Sequence, residues 1–376
     1  MKTVAVVLEE MGRPAPYAES KPLQLEDLEL TPPDECEVLV EIVAAGLCHS
    51  DLSVINGSRP RVMPMVLGHE AAGIVREVGA GVRDFQSDDH VVFSYVPVCG
   101  RCTCCQSGRA ALCERGAVAN TEGSLLSGKR HFSRSNGQEL HHHLGVSAFS
   151  QYTVAAEESL VKISKSLPLD KAALFGCAVM TGVGAVVNTA NIQAGQSVAV
   201  FGMGGVGLSS IMGAKASGAF PIVAVDLLDS KLDLAKNAGA THAVNANDHD
   251  AIEAVKNITG GGASVTFEAV GSEIVLAQAY AATARGGKTV CMGLPHPSKM
   301  LSIPAVSLVA EERTILGSYM GSSVPRRDIP RFIAMYEAGL LPVDLLQSST
   351  LGLNDINAAF DDLAAGTVAR QTVLMS

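Results

Sequence analysis

Apolar positions change rhythm once along the chain. From Met1 to about Cys177 they come in short runs broken by glycine, proline and charge, as in "CEVLVEIVAAGLC", "EAAGIVREVGAGV" and "HVVFSYVP". Runs of that kind predict the strands of a β-rich domain, because glycine and proline punctuate turns. From about Gln196 the runs "SVAVFG", "PIVAVD", "ASVTFEAVG" and "KTVCMG" are apolar at nearly every position and alternate with the helix-like "GVGLSSIMGAKASGA", "SKLDLAKNAGA" and "EIVLAQAYAATA". A strand apolar on both faces is buried on both, which a parallel sheet with helices on either side provides. The stretch from about Ser318 carries proline-punctuated helices and one late strand, "RQTVLM". The pattern predicts an α/β protein: a β-rich domain over 1–178, a doubly wound parallel-sheet domain over 179–317, and a C-terminal segment, 318–376, that returns to the first domain.

Composition narrows the class. The chain has 376 residues, 47% of them hydrophobic and 18% charged, which suits a compact enzyme of two domains and excludes a low-complexity chain. Tryptophan is absent and aromatics total 4%, so the core is expected to be aliphatic. The net charge of −10, with no basic stripe, argues against a nucleic-acid partner. The N-terminal apolar run meets Glu9 and Glu10 too soon for a signal sequence, and no stretch reaches the roughly 18 apolar residues of a membrane span. A cytoplasmic location is therefore expected, where clustered cysteines more often hold metal than form disulfides. The polar stretch 128–145, with its run His141, His142, His143, reads as a surface excursion in which the histidines are a loop feature and Leu144 turns inward.

Three constellations carry chemistry. Gly202-x-Gly204-x-x-Gly207 follows a strand and opens a helix: the first glycine permits a tight turn, the second lets backbone approach a pyrophosphate, and the third allows close helix packing. Asp226 ends the next strand, where a carboxylate accepts hydrogen bonds from ribose hydroxyls and repels a 2′-phosphate, favouring NAD over NADP. Second, Cys99, Cys102, Cys105 and Cys113 have the spacing of a closed four-thiolate zinc site, a lobe of about residues 97–115. Cys104 breaks the three-residue register and is expected to stand outside it; a redox pair is the alternative. The third, Cys48, His69 and Cys177, is sparser, and spacing alone does not separate it from core packing. Two thiolates and one imidazole would leave a fourth zinc position open, as a catalytic site needs.

At these residues, with "CHSD", "GHEAAGIV", "HHLGVSAFSQYTV", "FGCAVMTGVGAVVNTA" and "VDLLDSKLDLAK" in order, the sequence resembles the zinc-dependent alcohol dehydrogenases of the medium-chain dehydrogenase/reductase family. The resemblance runs the length of the chain and implies a GroES-like catalytic domain with a Rossmann domain between its two parts. It implies two zinc ions per subunit: a structural one at Cys99, Cys102, Cys105 and Cys113, and a catalytic one at Cys48, His69 and Cys177. Asp51 would orient His69, and Glu70 would sit behind the ion as a transient ligand. Ser50 would take the alcohol proton, and His49 and Arg370 would contact the pyrophosphate. Gly202, Gly204, Gly205, Val206, Gly207, Thr181, Val270 and Leu294 would line the cofactor, with Asp226 and Lys231 on the adenosine ribose. Ser50, Tyr95, Leu144 and Leu294 would form the substrate pocket.

The implied activity is NAD-dependent oxidation of primary alcohols, medium-chain, allylic or aromatic, by zinc-alkoxide formation and hydride transfer, together with the reverse reduction. Two departures bear on it. Ser53 stands where many members have the histidine that ends the proton relay. Members that oxidise the thiol adduct of formaldehyde carry acids in the loop after the first zinc cysteine, yet here no acid lies between Asp51 and Glu70, and Arg59 and Arg61 do. A thiol-adduct-dependent formaldehyde dehydrogenase is the alternative. A non-enzymatic nucleotide-binding protein is a third reading, opposed by the presence of all three catalytic zinc ligands. A homodimer is expected, with a tetramer as the alternative.

Overall fold

The computed structural model describes residues 1–375. The chain divides into two compact units, one made of residues 1–177, 324–330 and 347 onward, the other of 178–323 and 331–346. In chain order the first unit contributes β1 (Lys2–Leu8), β2 (Leu23–Leu30), β3 (Glu37–Gly46), β4 (Met65–Val66), β5 (Glu70–Val78), β6 (His90–Phe93), β7 (Phe132–Ser133), β8 (His141–His142), β9 (Tyr152–Ala156) and β10 (Leu160–Ile163). One sheet runs β7-β2-β1-β4-β8. In the other, the ten-residue β3 pairs antiparallel with both β5 and β9. Ala5, Val7, Leu28, Leu30, Leu39, Val66, Phe132 and Val154 form one buried cluster within this unit.

The second unit contains β11 (Val198–Phe201), β12 (Ile222–Asp226), β13 (His242–Asn245), β14 (Ala263–Glu268), β15 (Thr283–Cys291) and β16 (Thr314–Gly317), all parallel, in the order β13-β12-β11-β14-β15-β16. Every residue of β11 is buried, which accounts for its continuous apolar sequence. Strand order reverses between β11 and β14, and in such sheets ligands bind outside the carboxyl ends at that point.

The chain re-enters the first unit as β17 (Gln347–Leu351) and β18 (Arg370–Leu374), with β18 antiparallel to β3. The return is not continuous as expected for 318–376: residues 318–323 and 331–346 group with the second unit. The core is mainly aliphatic, as expected. Phe93, Phe132, Phe149, Phe175, Phe201, Phe267, Phe332 and Phe360 are fully buried, so most of the few aromatics are spent inside. Among the described residues, no single helix is long and apolar enough to cross a membrane.

Polar residues support the first unit where its sheets meet loops. Glu37, at the start of β3, is buried; His131 Nε2 lies 2.8 Å from its carboxylate, Ser127 Oγ donates to it at 2.7 Å and the Asp34 N–H at 2.9 Å. Burial alone would raise the Glu37 pKa, but these donors together hold it below the ordinary carboxylate value. A carboxylate depressed by folding stabilises the protein fully above its unfolded pKa, about 4.3, and that contribution is lost as pH falls through the lower folded value. Glu37→Gln should therefore lower the urea midpoint at pH 7, and its deficit should shrink between pH 5 and pH 3. A deficit independent of pH would mean that the charge on Glu37 does not stabilise this corner.

Candidate active site

β3 delivers Cys48, in extended conformation, to the start of the short helix His49–Ile55, and Asp51 occupies that helix's first turn facing inward. His69 immediately precedes β5, and Cys177 ends the first unit. All four are buried. The Cys48 and Cys177 sulfurs and a His69 ring nitrogen lie within 4.8 Å of one another. The Asp51 carboxylate is 3.0–3.1 Å from His69 Nδ1 and also accepts the Gly68 N–H at 3.3 Å. With Nδ1 committed, Nε2 is the ring atom left over: it is buried and has no hydrogen-bond partner. A buried nitrogen without a partner, beside two thiols, is costly unless a cation takes its lone pair. Two sulfurs and one imidazole form a donor set that suits zinc.

Burial opposes charge on His69, but Asp51 and Cys48 outweigh it and hold its pKa well above the ordinary value, so without an ion the imidazole is drawn toward its protonated form beside a thiolate. The Cys48 thiol sits well below its usual pKa, first through a hydrogen bond from Cys177, helped by Arg370 and His69; Cys177 is pushed up by the thiolate this creates. Burial opposes charge on Asp51, but His69 and His143 outweigh it and keep the carboxyl below its ordinary value.

His143 was not anticipated here. Its Nδ1 lies 3.1 Å from Asp51 Oδ1, and its ring stands edge-on to His69 at 5.6 Å. The histidine run is therefore no surface loop feature: residues 135–139 are exposed, but His142 and His143 are buried. The reason is local pairing. β8 lies parallel to β4, and Ser147 Oγ accepts the His143 N–H and donates to the Val66 carbonyl. Burial pushes His142 down to about 3, so it is neutral. Leu144 turns inward as expected, at φ +54°.

Glu70 is fully buried but is not among the groups that converge with Cys48, His69 and Cys177; its Oε1 is 3.4 Å from Arg370 Nε. A Cβ at Gly46 would collide with that carboxylate, so glycine is required there. Arg370, expected at a pyrophosphate, is buried inside the first unit and donates to the Leu47 carbonyl at 2.7 Å. Tyr95 is buried, its ring edge-on to His69 at 5.6 Å. Ser50 is half-buried and His49 exposed. Ser53 Oγ donates to the His49 carbonyl at 2.7 Å.

The sulfurs of Cys99, Cys102, Cys105 and Cys113 also lie within 4.8 Å of one another, and Cys104 stands outside the group, its Sγ 3.7 Å from Glu114 Oε1. Backbone N–H groups of Cys99 and Gly116 point at the Cys113 sulfur, each at 3.4 Å. The Cys105 N–H, then that of Glu114, pulls the Cys102 thiol down to about 6. N–H groups aimed at sulfurs favour thiolates, the form that binds metal, whereas burial pushes the Cys105 and Cys113 thiols up, so the four need a cation to ionise together.

In the second unit the glycine turn has the expected local geometry. Gly202 has φ +95°; nothing lies within 4 Å of a Cβ placed on Gly204; and a Cβ on Gly207 would strike the Gly202 carbonyl oxygen. The helix Gly205–Ala216 begins there, with Val206 half-buried. Asp226 accepts the Met203 N–H at 2.7 Å, Leu227 at 2.8 Å and Leu228 at 3.1 Å, which pins its carboxylate beside the turn. Lys231 lies in the first turn of the helix Asp229–Ala238. Thr181 is buried, whereas Val270 and Leu294 are 55% and 49% exposed, open enough to meet a ligand.

Residues 34–165 match the alcohol dehydrogenase GroES-like domain family, and residues 205–338 match the zinc-binding dehydrogenase family. An S-(hydroxymethyl)glutathione dehydrogenase of Synechocystis sp. is 39% identical, over 99% of this chain and 100% of its own length; one from Paracoccus denitrificans is 36% identical, over the whole of both. Among solved structures, benzyl alcohol dehydrogenase from Acinetobacter calcoaceticus superposes with a TM-score of 0.93 at 33% identity, covering both chains fully. An alcohol dehydrogenase zinc-binding domain protein from Burkholderia ambifaria gives 0.94 at 34%, covering 100% of this chain and 99% of its own. With relatives matched end to end and both domain families present, the chain belongs to the zinc-dependent alcohol dehydrogenases of the medium-chain dehydrogenase/reductase family, oxidoreductases that use zinc and NAD(P).

Proposed function

We propose that this protein is an NAD-dependent oxidoreductase that interconverts primary alcohols and aldehydes, with allylic or aromatic substrates favoured, and that each subunit holds one catalytic and one structural zinc. The observation that carries the reading is the buried set of two thiols and the unpartnered Nε2 of His69. Cys48, His69 and Cys177 would hold the catalytic ion, which when bound acts as a Lewis acid on an alcohol or carbonyl oxygen. Asp51 accepts a hydrogen bond from the His69 Nδ1–H, the tautomer that leaves the Nε2 lone pair available. Ser50 is the hydroxyl that receives the alcohol proton. The Ser53 hydroxyl is committed to the His49 carbonyl, so the relay continues through the exposed His49 and solvent rather than through position 53. Tyr95 and Leu144 offer apolar walls, which suits an uncharged hydrocarbon substrate. The dinucleotide would be held by the glycine turn at its pyrophosphate, by Asp226 and Lys231 at its adenosine ribose, and by Val270 and Leu294 along the crevice, and its nicotinamide would exchange the hydride.

A second reading, oxidation of S-(hydroxymethyl)glutathione, is favoured by the activity named for the two curated relatives. The loop between Asp51 and Glu70, with Arg59 and Arg61 and no acid, weighs against it. The reading of a homodimer is supported by β16 at the open edge of its sheet and by the helix Ala305–Ala310, which exposes Val306 at 73% and Val309 at 82%.

The substrate reading is tested by steady-state kinetics with NAD. The kcat/KM for benzyl or cinnamyl alcohol without glutathione should exceed that for formaldehyde plus glutathione by at least tenfold; the reverse order would replace the first reading by the second.

The zinc reading is tested by elemental analysis. Cys105→Ala should lose about one zinc per chain and much of its soluble yield, because metal binding here supports local folding. Cys104→Ala should keep two. Metal loss in the Cys104 variant alone would invalidate the ligand register.

Cofactor choice rests on Asp226. Hydrogen bonds from ribose hydroxyls to a carboxylate are each worth roughly 1.5 to 3 kcal/mol, and a 2′-phosphate would replace them with repulsion. A combined difference of about 4 kcal/mol corresponds to about a thousandfold preference in kcat/KM for NAD over NADP. Asp226→Asn should remove most of it. Wild-type values within threefold of each other would refute the role of this residue.

A further inference from the structure

The reading above makes no use of Glu268, the last residue of β14. It is buried, at 1% exposure, and its Oε1 accepts successive backbone N–H groups from Val270 at 2.8 Å, Gly271 at 2.6 Å and Ser272 at 3.4 Å. Its own backbone carbonyl accepts from Met292 at 2.9 Å and Gly293 at 3.1 Å, at the end of β15. Oε2 faces the same corner, 3.9 Å from Cys291 Sγ, and a Cβ on Gly293 would come within 2.6 Å of it. The two turns held in this way also touch each other and the glycine turn. A Cβ on Gly271, at φ +84°, would meet the backbone of Leu294 at 3.1 Å, and a Cβ on Gly202 would lie 2.6 Å from Val270 Cγ2. The Ala269 N–H donates to the Phe201 carbonyl at the end of β11. The carboxylate thus holds the turn that follows β14 and meets the end of β15 through Cys291, while backbone bonds join that turn to β15 and β11, at the point where strand order reverses.

An alkyl side chain would fill this space without the desolvation cost of a carboxyl, but it would leave buried N–H groups unmet. We propose that Glu268 is a positioning residue for nucleotide binding: it shapes the crevice by holding the turns of Val270 and Leu294 in register with the turn at Gly202. The inference rests on the reading of Val270 and Leu294 as cofactor-lining residues.

The test is equilibrium titration with NADH, followed by the fluorescence of its own ring, alongside kinetics of the zinc-loaded full-length protein. Glu268→Ala should raise the Kd for NADH and the KM for NAD at least tenfold, while kcat, the KM for alcohol and the zinc content stay within twofold. Glu268→Gln, which keeps a carbonyl oxygen for the Val270 and Gly271 N–H groups, should bind NADH within threefold of wild type. Glu268→Asp, one methylene too short to reach all three donors, should bind at least fivefold more weakly, and serves if the alanine variant does not fold. A folded alanine variant with wild-type affinity, an aspartate variant with wild-type affinity, or a glutamine variant as weak as alanine would each overturn the proposal. A wild-type protein that binds neither NADH nor NADPH would remove the nucleotide reading itself, and this inference with it.

Discussion

The first unit depends on how one buried carboxylate, that of Asp51, is used. Its oxygens are within 3.1 Å of two histidines, His69 and His143, and take the Gly68 N–H as well. An uncompensated carboxylate at that depth would be costly; the hydrogen bonds to His69 and the Gly68 N–H, with the His143 ring close by, offset the cost. The pairing fixes which His69 nitrogen carries a proton, and so which one faces Cys48 and Cys177. Two thiols in contact cannot both ionise without a cation, which is why one is driven down and its neighbour up. A doubly charged ion removes that conflict, satisfies the orphaned nitrogen and lets both sulfurs ionise.

The same constraint accounts for the chain's return. Glu70 lies directly after His69 and is fully buried, so a cation must come to it. That cation is Arg370, supplied by β18, whose antiparallel pairing with β3 also brings the Gln371 carbonyl to the Leu47 N–H at 2.9 Å. Arg370 then spans the Leu47 carbonyl and Glu70, beside Cys48. Gly46 completes the arrangement, because only the absence of a side chain leaves room for the Glu70 carboxylate. A residue near the end of the sequence is in this way part of the electrostatic setting of residues 46–70.

How much could be read from the sequence follows from how local each device is. The glycine turn and the four-cysteine lobe are continuous stretches whose spacing carries their geometry, down to the exclusion of Cys104. Cys48, His69 and Cys177 meet only through tertiary structure, and only family likeness picked them out. His143 was missed although "HHLGVSAFSQYTV" shares in the family likeness: a run of three histidines has no period, and its burial comes from pairing between two-residue strands, β4 and β8, too short to show a pattern. Glu268 was hidden for the opposite reason. As the end of "ASVTFE" it looked like any polar residue closing a strand, and its role lies in N–H groups that follow it in a turn.

The convergent donor groups and the glycine turn fall in different units. Both convergent sulfur sets lie in residues 1–177, and the glycine turn, Asp226 and Glu268 lie in 178–323. The metal half is built from side chains with exacting donor identities, so a single replacement changes its ligand count. The nucleotide half is built from backbone, with N–H groups, carbonyls and absent Cβ atoms held in place by two carboxylates that point inward rather than at solvent. Asp226 pins the first turn through Met203, and Glu268 pins the turn that follows β14, beside the reversal point. Backbone sites tolerate wide sequence change as long as their anchors stay, whereas ligand sets do not.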